Sequence, residues 1–164
     1  MNILIVYCSS HGTTEKAVRL LTDALEGEVY TVDLKREDLK MDLSNFKKVI
    51  IGGSIHAGTI QRKVKHFINE FHDELLTKEV GLFLCCMNEG ETAIEQFNHA
   101  FPIEIRKNSV AMGLFGGEFL VSKMNFLERQ MVKKVSGVSS DQSNLDIEAI
   151  REFAAKLNNL RIPV

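Results

Sequence analysis

Apolar runs and helically spaced apolar stripes alternate along this chain. Ile3-Leu4-Ile5-Val6-Tyr7 is a continuous apolar run, the pattern of a parallel strand covered on both faces. Ala17, Leu20, Leu21, Ala24 and Leu25 then recur at the i, i+3, i+4, i+7, i+8 spacing of a packed helix face. Gly27 offers a stop, and Val29 to Leu34 reads as a second strand. The charged stretch 35–47, with Leu39, Met41, Leu43 and Phe46 as apolar anchors, reads as a short irregular crossover. A third strand follows at Lys48 to Gly52, and Val64, Phe67, Ile68, Phe71 and Leu75 mark a second helical stripe. Val80 to Cys86 predicts the fourth strand, and Ala93, Ile94, Phe97 and Phe101 a helical face closed by Pro102. The fifth strand is Ser109 to Phe115. A last helix turns Ile147, Ile150, Ala154 and Leu157 inward, with Ser143 or Asn144 as its cap and Asp146 and Glu148 in its first turn.

Five strands alternating with helices predict an α/β three-layer sandwich: one domain over 1–164, its five-stranded, mostly parallel sheet in the order 2-1-3-4-5. That order puts the loops after strands one, three and four on one rim, at a crevice where ligands bind. The first of these is Cys8-Ser9-Ser10-His11-Gly12-Thr13-Thr14. Its hydroxyls can donate to phosphate oxygens, Gly12 lets the backbone turn closely around an anion, and the helix start adds unpaired N–H groups. Neither the Gly-x-Gly-x-x-Gly of a dinucleotide site nor the Gly-Lys-Ser/Thr of a triphosphate loop is present. A phosphate monoester suits such a neutral loop; a Ser/Thr-rich helix cap without a ligand is the other reading.

Composition narrows the classes. With 22 acidic and 20 basic residues the net charge is −2, which points to neither nucleic acid nor an anionic surface as partner. Three cysteines, two of them adjacent at Cys85 and Cys86, form no disulfide framework, and no spacing suggests a metal site. Burial is the simpler account of all three, since an adjacent-cysteine disulfide would be strained. No long apolar run and no basic leader are seen, so a cytoplasmic protein is expected.

Across essentially its whole length the chain resembles flavodoxin-domain proteins, the standard instance of the 2-1-3-4-5 order. Within them, Val49-Ile50-Ile51-Gly52-Gly53-Ser54-Ile55-His56-Ala57-Gly58 with the helix after it resembles the menaquinone-dependent protoporphyrinogen IX dehydrogenases, as does the stretch from Gly116-Gly117 to Val135-Ser136-Gly137. The chain departs from that family in carrying His11 where an acidic residue is common, and in the sparser aromatic and arginine content of Phe115-Gly116-Gly117-Glu118-Phe119.

The resemblance implies FMN as cofactor. Ser9, Ser10, His11, Gly12, Thr13 and Thr14 would hold its phosphate. Gly53, Ser54, Ile55, His56, Ala57 and Gly58 would border the isoalloxazine, and Met87, Asn88, Glu89 and Gly90 would cover its other side. It implies oxidation of protoporphyrinogen IX with a quinone acceptor, in heme biosynthesis. Two other readings stand beside it: an electron carrier between protein partners, and an FMN quinone or azo reductase fed by NADH or NADPH. Near-neutral charge and the lack of aromatic residues in the second and third loops count against the carrier.

His56 is the candidate catalytic or substrate-orienting group, because it sits in the second loop where a substrate would approach and histidine as a residue type titrates near neutral pH; a surface loop residue is its plainer reading. Arg62 and Lys63 could pair with porphyrin propionates, or be solvated charges. His66, His72 and His99 fall in helical segments and read as structural. Residues 119–135 form a basic amphipathic stretch with two readings: packing against the sheet or a partner subunit of a homo-oligomer, or resting on the inner face of the cell membrane, where a lipid-soluble quinone is met.

Overall fold

The structure, a computed structural model, describes residues 2–10, 12–40, 42–119, 142–143 and 145–159. Strands β1 (Asn2–Tyr7), β2 (Glu28–Asp33), β3 (Lys48–His56), β5 (Glu79–Cys85) and β6 (Ser109–Leu114) form a parallel sheet in the order β2-β1-β3-β5-β6. This is the expected 2-1-3-4-5 arrangement, with the short strand β4 (Thr59–Ile60) added as an antiparallel partner of β3. Register is fixed by the side-chain period of two. Leu4, Val6, Val49, Ile51, Val80, Leu82 and Leu84 enter one core layer, whereas Ile3, Ile5, Ile50 and Phe83 enter the other.

Helices cover both faces. On the first lie α2 (Arg62–Glu70), α3 (His72–Leu75), α4 (Gly90–Ala100) and α5 (Ile103–Asn108), contributing Val64, Phe67, Ile68, Leu75, Ala93, Phe97 and Ile105. On the second lie α1 (Thr13–Ala24) and α6 (Ile147–Leu157), contributing Ala17, Val18, Leu21, Ile150, Phe153 and Leu157. Each fully buried side chain of this size is worth ~1.5–3 kcal/mol of transfer free energy. The chain therefore leaves β1 for one face, through α1, and β3 for the other, through α2. A crevice opens between the ends of β1 and β3, the topological switch point.

Several expectations are corrected. Gly53 to Gly58 is not a loop: β3 continues through His56 and turns back into β4. Ile94 and Ile147 fit their helical stripes but stand exposed, at 53% and 40%. The last helix is capped by Asp146, whose carboxylate accepts from the Ala149 amide at 3.0 Å; Ser143 belongs instead to a two-residue ladder of β7 (Glu118–Phe119) with β8 (Gln142–Ser143). Helix α5 was not foreseen. His11, Met41, Asn144 and residues 120–135 lie outside the described residues, and with them most of the basic amphipathic stretch. Among the described residues no helix is long and apolar enough to cross a membrane.

Candidate functional site

Three segments meet at the crevice rim. In the first, the Ser9 hydroxyl accepts from the amides of Gly12 at 3.2 Å and Glu15 at 3.3 Å, folding the loop back onto the first turn of α1. Two accepted bonds leave the Ser9 proton available to donate. Gly12 precedes the helix at φ 91°, a left-handed conformation that glycine adopts without steric cost. Thr14 Oγ1 is buried and has no hydrogen-bond partner among the described residues. Leaving such a group unpaired costs ~1–3 kcal/mol, a deficit that an acceptor oxygen seated at the helix start would remove. Ser10, half-buried, completes the hydroxyls of the cradle beside buried Thr13.

The end of β2 buttresses this loop. Asp33 Oδ1 accepts from the amides of Lys35 at 3.0 Å and Ser9 at 3.4 Å, and Oδ2 stands 3.6 Å from Arg36 Nε. Lys35 Nζ donates to the Ser10 carbonyl at 3.2 Å. Asp33 is thus turned onto amides and a guanidinium, Glu15 in the first turn of α1 is paired with Arg19 and Arg36, and a lysine stands beside the loop. An anionic phosphate fits these donors.

The second segment is the β3–β4 hairpin. Its turn places Ala57 at φ 49° and Gly58 at φ 82°, the two consecutive left-handed residues of a type I′ turn. His56 pairs with Thr59, and Ile55 with Ile60. His56 is exposed near the tip, its Nε2 3.3 Å from Ser54 Oγ. Gln61, the residue after the hairpin, ties the segment to the first loop. Its Oε1 accepts from the Ser54 amide at 2.9 Å, while Nε2 donates to Ser54 Oγ at 2.7 Å and to the Cys8 carbonyl at 3.1 Å. Gly53 makes room: a Cβ there would stand 2.6 Å from Gln61 Oε1.

The third segment follows β5. The Cys86 amide donates to the Gly116 carbonyl at 2.9 Å, and a Cβ on Gly117 would come within 3.0 Å of the Cys86 carbonyl carbon, so the ends of β5 and β6 are packed together. Met87 is half-buried, and Asn88, Glu89 and Gly90 are exposed up to the start of α4. Arg62 is exposed at the start of α2, whereas the Lys63 ammonium donates to the Leu34 carbonyl at 2.9 Å. His66 and His99 are exposed and His72 half-buried, all on helices away from the crevice.

Cys8, Cys85 and Cys86 are buried, and none forms a disulfide. Burial pushes the Cys8 thiol above its ordinary pKa, with Asp33 adding to the effect, and burial likewise raises Cys86. Both are protonated thiols at neutral pH, not nucleophiles. Sequence reasoning missed Gln61, Asp33 and Gly117. Asp33 alone carried a signal, as a carboxylate closing an apolar strand next to the first loop.

This is an α/β protein with a hydroxyl-rich loop and a hairpin on opposite sides of its switch point. The flavodoxin domain family model matches residues 4–146, and the chain belongs to that family. It is 23% identical to the protoporphyrinogen IX dehydrogenase [quinone] of Leishmania major, over 98% of this chain and 76% of that protein. A flavodoxin WrbA-like protein from Agrobacterium tumefaciens superposes with TM-score 0.60 at 13% identity, covering 96% of this chain and 95% of the other. Two-electron reduced Megasphaera elsdenii flavodoxin gives TM-score 0.57 at 18% identity, over 94% and 98%.

Proposed function

We propose that the chain is an FMN-dependent oxidoreductase that converts protoporphyrinogen IX to protoporphyrin IX with a quinone as acceptor. The observation that supports the cofactor assignment is the buried Thr14 hydroxyl, without a partner among the described residues, in the loop facing the Gly53–Gly58 hairpin. The substrate assignment is supported by the likeness to the Leishmania major dehydrogenase and by the hairpin sequence itself.

Bound FMN supplies the two-electron redox chemistry, and the protein supplies position and electrostatics. Ser9, Ser10, Thr13 and Thr14 would donate to its phosphate. Gln61 holds the hairpin at a fixed distance from that cradle, so that backbone amides of the hairpin and of Met87 to Gly90 can meet the polar edge of the ring. The second and third segments carry no aromatic side chain, so a broad apolar substrate can approach the ring without displacing a stacked residue. His56, exposed at the hairpin tip, offers a proton acceptor where that substrate arrives. Arg62 offers a cation for a carboxylate.

The test is anaerobic: FMN-loaded protein, protoporphyrinogen IX and a menaquinone analogue, with porphyrin fluorescence followed against heat-inactivated and FMN-free samples. Fluorescence growth that needs both flavin and quinone is expected. Tight FMN binding without growth overturns the substrate, and rapid flavin bleaching by NADH or NADPH would assign a reductase instead.

A further inference from the structure

The sheet's last strand, β6, and the helices α4 and α5 beside it border an open cleft of about 500 Å³, lined by Ile94, Phe97, Ile103, Arg106, Lys107 and Met112 among others. It is not the crevice described above. Ile94, Ile103 and Met112 are three of the six large apolar side chains that stand exposed among the described residues. Apolar surface concentrated in a cleft of this volume is the usual character of a small-molecule site.

The cleft is polar at one end only. Arg106 and Lys107 lie on α5, which feeds directly into the first residue of β6, whereas Leu114 is the last residue of β6 and Ile94 lies one turn into α4. The cations therefore mark the end where the strands start, and apolar side chains mark the end toward the rim. Arg106 is fixed in place: its Nε donates to the Phe101 carbonyl and its Nη1 to Asn98 Oδ1, both at 2.9 Å. Neither Arg106 nor Lys107 is paired with a carboxylate among the described residues, and no acidic side chain lines the cleft. The guanidinium Nη2 and the Lys107 ammonium remain as donors.

We propose that this cleft binds an elongated amphipathic carboxylate, with its carboxylate on Arg106 and Lys107 and its apolar body along Phe97, Ile94, Met112 and Leu114. Charge complementarity decides between this occupant and a second copy of the chain. An isologous dimer through this face would set the same lining against itself, and that lining holds Arg106 and Lys107 but no carboxylate to meet them. A dissolved carboxylate meets the same cations with opposite sign. The site does not depend on the flavin crevice or on the activity proposed for it.

The experiment is a methyl NMR titration of the full chain, with and without FMN, using dodecanoate below its micelle concentration and its uncharged amide as control. Dodecanoate is expected to shift the Ile94, Ile103 and Met112 methyls saturably, with the amide at least ~tenfold weaker. Lys107→Glu, an exposed substitution that breaks no side-chain hydrogen bond among the described residues, is expected to weaken dodecanoate by ~tenfold and leave the amide unchanged. Equal binding of acid and amide, shifts scattered over the surface or confined to the β1–β3 crevice, or protection of the same methyls by concentration-dependent dimerisation without ligand would each overturn the proposal.

Discussion

The side-chain amide of Gln61 donates to the backbone carbonyl of Cys8 at 3.1 Å, joining the hairpin after β3 to the loop after β1 across the switch point. The same side chain closes two further bonds to Ser54, one to its amide and one to its hydroxyl. Both of its N–H donors and one acceptor position are spent on holding the two walls in register.

Replacing Gln61 by leucine keeps the volume and removes all three bonds. The Cys8 carbonyl and the Ser54 amide then lose partners in a half-buried place, a cost of ~2–3 kcal/mol in folding stability. If the two walls hold phosphate and ring as proposed, FMN affinity falls by more than ~tenfold, because the walls no longer keep their spacing. Urea denaturation and flavin fluorescence quenching measure the two effects. An unchanged affinity with lowered stability would mean that the tie is structural only.

The layered fold is legible in the sequence because strands covered on both faces must be continuously apolar and packed helices must show a stripe. The crevice follows from strand order. What the sequence hides is particular. Gln61 belongs to no periodic pattern, and its role arises only when β3 runs on to His56 and doubles back. Gly53-Ser54 reads locally as a turn, yet the chain stays extended because the backbone of Gly53 and Ser54 pairs with Leu84 and Cys85 of β5. Ile94 and Ile147 fit helical stripes, but spacing says which residues share a face, not whether anything packs on that face. Helix α5 spans six residues, too few for a period to register.

The hairpin turn carries a strained residue. Ala57 sits at φ 49°, where an L side chain costs ~1–2 kcal/mol and glycine costs nothing sterically. Ala57→Gly should therefore stabilise the protein by up to ~1 kcal/mol once the glycine's extra chain entropy is deducted. Gly58→Val, at φ 82°, should destabilise it by more than that. Urea midpoints of the two variants should move in opposite directions; movement in the same direction would contradict the turn geometry.

Buried acids set the alkaline limit of the fold. Burial holds the Cys8 and Cys86 thiols above their ordinary 9.0, and burial together with Asp33 and Glu15 holds the Tyr7 phenol above its ordinary 10.0. These groups are neutral when protonated, so the folded state keeps its protons to higher pH than the unfolded chain. Their stabilising contribution is complete below the unfolded values and is lost as pH rises through the folded ones. Stability should decline from about pH 9 upward, and Cys8→Ala with Cys86→Ala should flatten the decline. Denaturation midpoints from neutral pH upward test this, and a midpoint that stays level would count against it.

Thr14 separates the needs of the empty fold from those of the ligand. Its hydroxyl is buried without a partner among the described residues, so Thr14→Val removes an unsatisfied polar group at nearly constant volume. The ligand-free protein should gain stability, by up to ~1 kcal/mol. If that hydroxyl donates to a phosphate, the same substitution weakens FMN by ~tenfold, the equivalent of about one charge-assisted hydrogen bond. Riboflavin, which has the ring and lacks the phosphate, should bind wild type and variant alike. Stability, FMN and riboflavin are three independent readings on one variant. A threonine that merely caps the helix would lower stability when replaced and leave the ratio of FMN to riboflavin affinity where it was.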